Sequence, residues 1–383
     1  LRSSAYRLTF DPHFDEHFQQ LAAIKNACHL PSFERIMCHS FEESGMKEHF
    51  VARLGLCFIL LIGSGCKMQT KDDYRWLEAI EDERSMDWVR SQNQRTAKQL
   101  EAHHAFKKFF GQAEAILGAK DRIPYGTLVD GYVYNFWQDA QHVRGILRRT
   151  PLDAYRVGQP TWTTILDIDA LSKAESKNWT YVGSVHGRNG RNRALIRLSE
   201  GGKDAAVYRE YNVEARRFVE DGFKIPEAKS SVTWLSADRI LVTSNFGDGT
   251  LTKSGYPTQA RVLERGQPFN KAKLVFEGQT TDVGVWAGGR YKYESPEHEE
   301  NVSFIVRAPT FFTTEIAVLL ENEAVRLALP KSIEFQGLFG HHVLLQLRED
   351  WKLSSKTLRA GSLVRLGLKD AIDGRHADVE TLW

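Results

Sequence analysis

Cysteine is confined to the N-terminal end of this 383-residue chain, at Cys28, Cys38, Cys57 and Cys66. Everything from Lys67 onward therefore folds without disulfides, and a zinc site there would need His and carboxylate ligands alone. An excess of charge of one sign is also missing. Fifty-one basic residues face 49 acidic ones, for a net charge of +2, which leaves no electrostatic footprint for nucleic acid. No run of 18 apolar residues is long enough to span a bilayer. H-E-x-x-H, G-x-x-x-x-G-K-[ST] and a usable G-x-S-x-G are all absent, which excludes a zincin helix, a phosphate loop and a hydrolase nucleophile elbow from this sequence. No metal or other cofactor is expected. What remains, 42% hydrophobic and 26% charged residues, is the composition of a globular protein. The one basic run, His186–Arg193 (HGRNGRNR), reads as a glycine-broken hairpin loop.

The first 66 residues stand apart. Residues 1–45 have no clear period and form a poorly defined upstream extension. Met46 opens a segment with the layout of an export signal: Lys47 and Arg53 precede the apolar run Leu54–Ile62, and the small residues Gly63-Ser64-Gly65 follow. Cys66 directly after them resembles a bacterial lipoprotein box, with Gly63 where such boxes usually carry Leu. Cys66 is thus the lipidation candidate, residues 46–66 the signal or lipoprotein segment, and membrane anchoring through that lipid the implied attachment. The expectation is a periplasmic or membrane-anchored protein. The alternatives are an ordinary secretory signal, or a buried apolar helix in a cytoplasmic protein if translation begins at Leu1.

Residues 72–122 read as a helical lead-in. Trp76, Leu77, Ile80, Trp88 and Val89 lie near a 3.6-residue period, and a second helix over about Ala105–Leu117 carries Phe106, Phe109, Phe110, Ala113, Ile116 and Leu117 as a packing stripe ended by Gly118. After Pro124 the pattern changes to strands throughout. The predicted groups are Gly131–Trp137, Gly145–Arg149 and Thr163–Asp167; then Asn178–Ser184, Asn192–Leu198, Ala205–Tyr211 and Arg216–Val219; then Ser231–Leu235, Arg239–Ser244, Gln259–Arg265 and Lys273–Glu277; then Val283–Ala287, Val302–Ala308, Thr314–Leu320 and Ala324–Leu329; and Ser332–Gln336, His342–Leu347 and Ser362–Leu366. Tyr132, Trp179, Trp234 and Trp286 recur about every fifty residues, the length of a four-stranded propeller blade. A large β-sandwich would also show many short strands.

The richest stretch is Pro226–Pro257, a hairpin turning at Ser236-Ala237-Asp238 and followed by a loop around Gly247-Asp248-Gly249. Its Ser244-Asn245-Phe246-Gly247 stands where bacterial prolyl oligopeptidases usually read T-D-F-G. Asp73-Tyr74-Arg75-Trp76-Leu77-Glu78 with Trp88-Val89 and Gln92-Asn93 is similar to the D-P-Y-x-W-L-E…W-V…Q-N opening of that family, with Asp73 in place of the proline. Ile123-Pro124-Tyr125, Gly131–Trp137, Arg144-Gly145 and Arg148-Arg149-Thr150 resemble the family's first blade, and Thr310-Phe311-Phe312-Thr313 a later aromatic–threonine stretch. From about Asp72 to the C-terminus the chain thus resembles the prolyl oligopeptidases, serine peptidases of short, proline-containing peptides. The resemblance implies a mainly β fold: a partial propeller of the seven-bladed type, about four to five blades over residues 123–383, preceded by an α-helical segment. In that family the propeller gates access to an α/β-hydrolase domain holding a Ser-His-Asp triad. The hydrolase is absent from this sequence, so the expectation is a truncated chain, inactive alone, with short peptides and a hydrolase domain in cis or trans as implied partners. A non-enzymatic interaction module and a decayed gene product are the alternatives.

No residue draws a catalytic assignment. His341-His342 should point to opposite sides of a strand. His103-His104 should sit at the surface between helices, Glu297–Glu300 should form a solvated acidic loop, and Gly288-Gly289-Arg290-Tyr291 should open a turn.

Overall fold

The computed structural model describes residues 72–79, 82–187, 192–294 and 299–383. The upstream extension, the signal-like segment and Cys66 lie outside these. The chain divides into two units, residues 1–108 and 109–383.

In the first unit a single 3-10 turn (Arg75–Glu78) precedes α1 (Glu83–Glu101). Asp82 caps α1 by accepting from the amides of Arg84 and Ser85, satisfying donors that the first helical turn cannot pair internally. The Trp76 ring lies edge-on to Trp88 at 6.2 Å and beneath the Arg84 guanidinium at 4.2 Å, so the predicted period does bring these rings together. α2 (Phe106–Leu117) crosses the division between units. Its expected packing stripe is not covered: Phe109, Ile116 and Leu117 are each more than 60% exposed.

The second unit is five consecutive antiparallel sheets. Sheet one holds β1 (Thr127–Val129), β2 (Tyr132–Trp137), β3 (Ile146–Pro151) and β4 (Thr163–Asp167). Sheet two holds β5 (Trp179–His186), β6 (Arg193–Glu200), β7 (Ala206–Asn212) and β8 (Arg217–Phe218), with β9 (Lys224–Ala228) also paired to β7. Sheet three holds β10 (Ser231–Trp234), β11 (Arg239–Thr243), β12 (Gln259–Glu264) and β13 (Lys273–Glu277). Sheet four holds β14 (Gly284–Glu294), β15 (Glu299–Thr310), β16 (Thr313–Leu320) and β17 (Glu323–Arg326). Sheet five holds β18 (Ile333–Phe339), β19 (His342–Leu347), β22 (Leu363–Gly367) and β23 (Glu380–Thr381), and a separate ribbon of β20 (Trp351–Lys352) and β21 (Thr357–Leu358) interrupts it. Most predicted strands recur within a residue or two. The three-residue β1 and the sheet-two addition β9 were not anticipated. Nor were three short helices on connections: α3 (Leu152–Arg156), α4 (Ile168–Glu175) and α5 (Leu368–Asp373). They correct the expectation of strands alone after Pro124. α4 is held by Asp167, whose side chain accepts from the Ala170 amide, a capping bond that a strand-to-loop reading overlooks.

The sheets are packed face to face through four apolar clusters. Tyr134, Leu147, Ile165, Ala194 and Ile196 join sheets one and two. Leu195, Tyr208, Val232, Ile240 and Val242 join sheets two and three. Leu241, Val262, Val285, Ile305 and Ala317 join sheets three and four. Phe304, Ile316, Val318, Val343 and Val364 join sheets four and five. Alternate residues of one strand thus enter successive clusters, because neighbouring strand residues point to opposite faces. The first strands lie side by side: Trp234 Nε1 of β10 donates to the Val185 carbonyl of β5 at 2.9 Å, and the Ala287 amide of β14 donates to Ser231 Oγ of β10 at 2.7 Å. These are successive blades of a β-propeller.

A buried carboxylate ties two blades. Glu210 is 1% exposed. It accepts from both terminal nitrogens of Arg265 (2.8 and 3.2 Å) and from the Phe223 amide (2.9 Å). Arg265→Leu would leave this charge buried beside Arg193 alone, at 3.7 Å. The expected loss is about 3 kcal/mol, measured as a lower urea midpoint.

Gly288-Gly289 is not a turn. It lies inside β14 at a bulge where the register with β15 shifts between Ala287 and Arg290. A Cβ on Gly288 would overlap the ring of Phe304, so only glycine lets the strand pass that ring. Gly288→Ala is expected to cost about 1–3 kcal/mol through overpacking, read as a fall in melting temperature.

Candidate functional site

Between sheets one and two, the first strand of sheet two carries a chain of hydroxyls ending in an imidazole. Tyr181 OH donates to Ser184 Oγ at 2.9 Å, and Ser184 Oγ lies 2.9 Å from His186 Nε2. A bulge between Tyr181 and Gly183 in the β5–β6 register is what puts Tyr181 on the same side as Ser184 and His186. The cluster is roofed by rings from sheet one. Phe136 stacks on Tyr181 at 4.6 Å, and Tyr134 lies 4.4 Å from the His186 ring. Tyr134 OH accepts from Arg149 Nη1 at 3.1 Å, and Arg149 in turn pairs with Glu214.

Burial sets the electrostatics. It pushes the Tyr181 phenol up to about 12, against the bond to Ser184. It pulls His186 down to about 4, aided by the Arg149 charge and opposed by Asp130. The imidazole is therefore neutral at pH 7, with Nε2 facing the serine hydroxyl. This arrangement can hold a hydrogen-bonded chain in register. It is poorly suited to nucleophilic catalysis, which pairs the serine with a histidine basic enough to take its proton and oriented by a third group. Ser184 also sits within a strand instead of on a strand-to-helix elbow.

His186 stores a pH dependence whose sign follows from its lowered value. Between pH 6.5, the unfolded value, and about 4, the unfolded chain binds more protons than the folded one, so stability falls as the pH is lowered through that window. The contribution lost is at most about 3 kcal/mol. Urea unfolding at pH 7 and pH 4.5 should show a larger drop for the wild type than for His186→Gln; equal drops would refute the assignment.

The residues weighed in the sequence lie elsewhere. His341 is exposed in the turn before β19, and His342, half-buried, opens β19 opposite Phe339 and Gly367, so the two do not share a strand as expected. His103 and His104 occupy the break between α1 and α2, exposed as expected, with ring centroids 4.5 Å apart. Glu299 and Glu300 belong to β15 instead of a loop, and Glu297 and His298 lie outside the described residues. Of the basic run, His186 ends β5 and Arg193 opens β6, and residues 188–191 lie outside the described residues. Among the described residues no three His, Cys, Asp or Glu side chains gather as a metal site would require. The Tyr181–Ser184–His186 chain went unnoticed in the sequence. Its signal is the spacing of Ser184 and His186, two apart on a strand; the part played by Tyr181 depends on the bulge.

Five consecutive antiparallel blades with this strand order define a β-propeller module. A family model described as the prolyl oligopeptidase N-terminal β-propeller domain matches residues 65–290, and the chain belongs to that family. It is 36% identical over 313 residues to an uncharacterized peptidase of Sinorhizobium fredii, covering 79% of this chain and 42% of that protein. It is 30% identical over 310 residues to an uncharacterized peptidase of Rickettsia prowazekii, covering 78% and 42%. The structure of a post-proline cleaving enzyme from Rickettsia typhi superposes with a TM-score of 0.73 at 31% identity, covering 80% of this chain and 46% of that one. The chain therefore spans less than half the length of these relatives.

Proposed function

We propose that these blades are the gating portion of a serine peptidase that cleaves short, proline-containing peptides, and that the 383 residues alone do not turn peptides over. The supporting observation is the 31% identical post-proline cleaving enzyme, which this chain matches over 80% of its own length but only 46% of the enzyme's. Hydrolysis in such a peptidase requires a serine made nucleophilic by an adjacent base. The sequence has no G-x-S-x-G, and the pair at Ser184 and His186 has a neutral, weakly basic imidazole. An α/β-hydrolase domain, in cis or in trans, supplies the triad in this reading, and the propeller supplies a wall and a size limit. Cys66 is the proposed lipidation site of an exported form.

The purified chain should show no turnover of a proline-containing chromogenic peptide and no labelling by a serine-reactive fluorophosphonate. Adding a separately expressed hydrolase domain from a relative should give activity on octapeptides that a folded protein substrate does not elicit. Probe-sensitive turnover by the chain alone would sink the reading. Expressed with its leader in a bacterium, the protein should incorporate labelled palmitate, and Cys66→Ser should abolish this; incorporation that survives the substitution would exclude Cys66.

A further inference from the structure

Sheets two and three are each packed on both faces by a neighbouring sheet, so the gap between them is bounded on both sides by interior blades. Toward the fourth strands this gap widens into a groove of about 360 Å³, lined from sheet two by residues 220–224 and from sheet three by Leu263, Glu264 and residues 266–269. Sheet two supplies its wall through a bulge, residues 219–223, pushed out of the fourth strand between β8 and β9, both of which pair with β7. The bulge is fixed from beneath. The Val219 amide donates to the Glu210 carbonyl and the Phe223 amide to the Glu210 carboxylate, each at 2.9 Å. A Cβ at position 222 would stand 2.7 Å from that of Glu210, so Gly222 lets the bulge close on it.

Sheet three supplies an aromatic column. The Arg261 guanidinium lies 4.4 Å from the Phe246 ring, and Phe246 stacks on Phe269 at 4.8 Å and 15°. Phe269 lines the groove and Phe246 does not, so the column ends there, on a ring over which no cation lies among the described residues. Phe223, on the opposite wall, already carries a guanidinium: Arg265 lies 4.7 Å from its ring and is closed by Glu210 and Asp238. The rim of the groove is acidic. Glu220, Asp221 and Glu264 are exposed, and among the described residues none of their carboxylates has a hydrogen bond or ion pair. Lys224 is the one cation in the lining.

We propose that this groove receives the arginine side chain of an extended peptide, with its stem against Leu263 and Pro268 and its guanidinium over Phe269, among the free carboxylates. Arg265 on Phe223 is the same arrangement made internally. A groove of this volume is at the small end of ligand pockets and suits one long side chain whose backbone stays outside. Lysine gains less there, because an ammonium neither stacks as a plane nor pairs bidentately. The chain as a whole carries a net charge of +2 and has no general attraction for cations, so the three acids select the charge of the occupant locally. The inference does not rest on the gating reading.

Calorimetric titration of the 383-residue protein with acetyl-Ala-Arg-Ala-amide tests it, beside the same tripeptide carrying lysine or citrulline, the latter keeping the shape of arginine without its charge. The arginine peptide is expected to bind in the sub-millimolar range, the lysine peptide more weakly, and the citrulline peptide about tenfold more weakly, the loss of the charge-assisted pairing. Glu264→Gln, Asp221→Asn and Phe269→Leu should each weaken the arginine peptide several-fold, and Lys224→Gln should tighten it. Each variant is checked for wild-type melting, and the exposed carboxylate variants decide the matter if Phe269→Leu melts early. Equal binding of the arginine and citrulline peptides, no saturable binding of the arginine peptide, or wild-type affinity in both carboxylate variants overturns the proposal. Free arginine brings a carboxylate of its own to an acidic rim and should bind more weakly than the blocked peptide; tighter binding would make the occupant a small molecule and overturn the peptide assignment.

Discussion

An interior blade has no free face, and this governs the composition of its central strands. Ile240 and Val242 enter the core on one side of β11 while Leu241 enters the core on the other. Ala194 and Ile196 divide from Leu195 in the same way, and Phe304 from Ile305. A strand buried on both faces must be apolar at consecutive positions, unlike a half-buried strand with its clean alternation. The buried carboxylates that intrude are closed by partners within reach. Glu210 takes Arg265 and a backbone amide. Arg307 takes both oxygens of Asp282 at 2.8 and 2.9 Å and Glu315 at 2.9 Å. A buried charge without such partners costs several kcal/mol.

Much of this was legible from the residues. Strands Thr163–Asp167, Lys273–Glu277 and His342–Leu347 were read with their boundaries, because each centres on apolar residues (Ile165-Leu166, Leu274-Val275-Phe276 and Val343-Leu344-Leu345) with polar residues around them. The hairpin of β10 and β11 closes where expected, with Trp234 opposite Ile240. The residues missed are those whose structure depends on distant partners. β1 is the local exception: three residues long, it is tied to β2 through the Asp130-Gly131 turn, a hairpin signal that went unread. Gly288-Gly289 reads as a turn locally and becomes a strand because Phe304, sixteen positions on, occupies the space that a side chain would need. The α2 stripe has the period of a packed helix, but period alone does not say which surface will cover it.

The candidate site shows the same division. Ser184 and His186 were visible as residues, two apart on a strand. Their contact to Tyr181 depends on a bulge, and the weak basicity of His186 depends on burial against Tyr134, 52 residues earlier in the chain. Proximity of a serine and a histidine is thus separate from chemistry: the same 2.9 Å contact that activates a nucleophile elsewhere is here a link within one strand, packed beneath the rings of the neighbouring blade.

The sequential pairing of strands bears on how the polypeptide is made. Each sheet is completed by neighbours along the chain, and each core is shared only between consecutive sheets. A ribosome delivering residues at about 5–20 per second releases one whole blade before the next has begun, so the nascent chain can lay each blade on the one already formed without waiting for a distant segment. At each moment the newest blade is the exception, since its outward side has nothing yet to rest on, and it is there that a chaperone would find exposed sheet during translation.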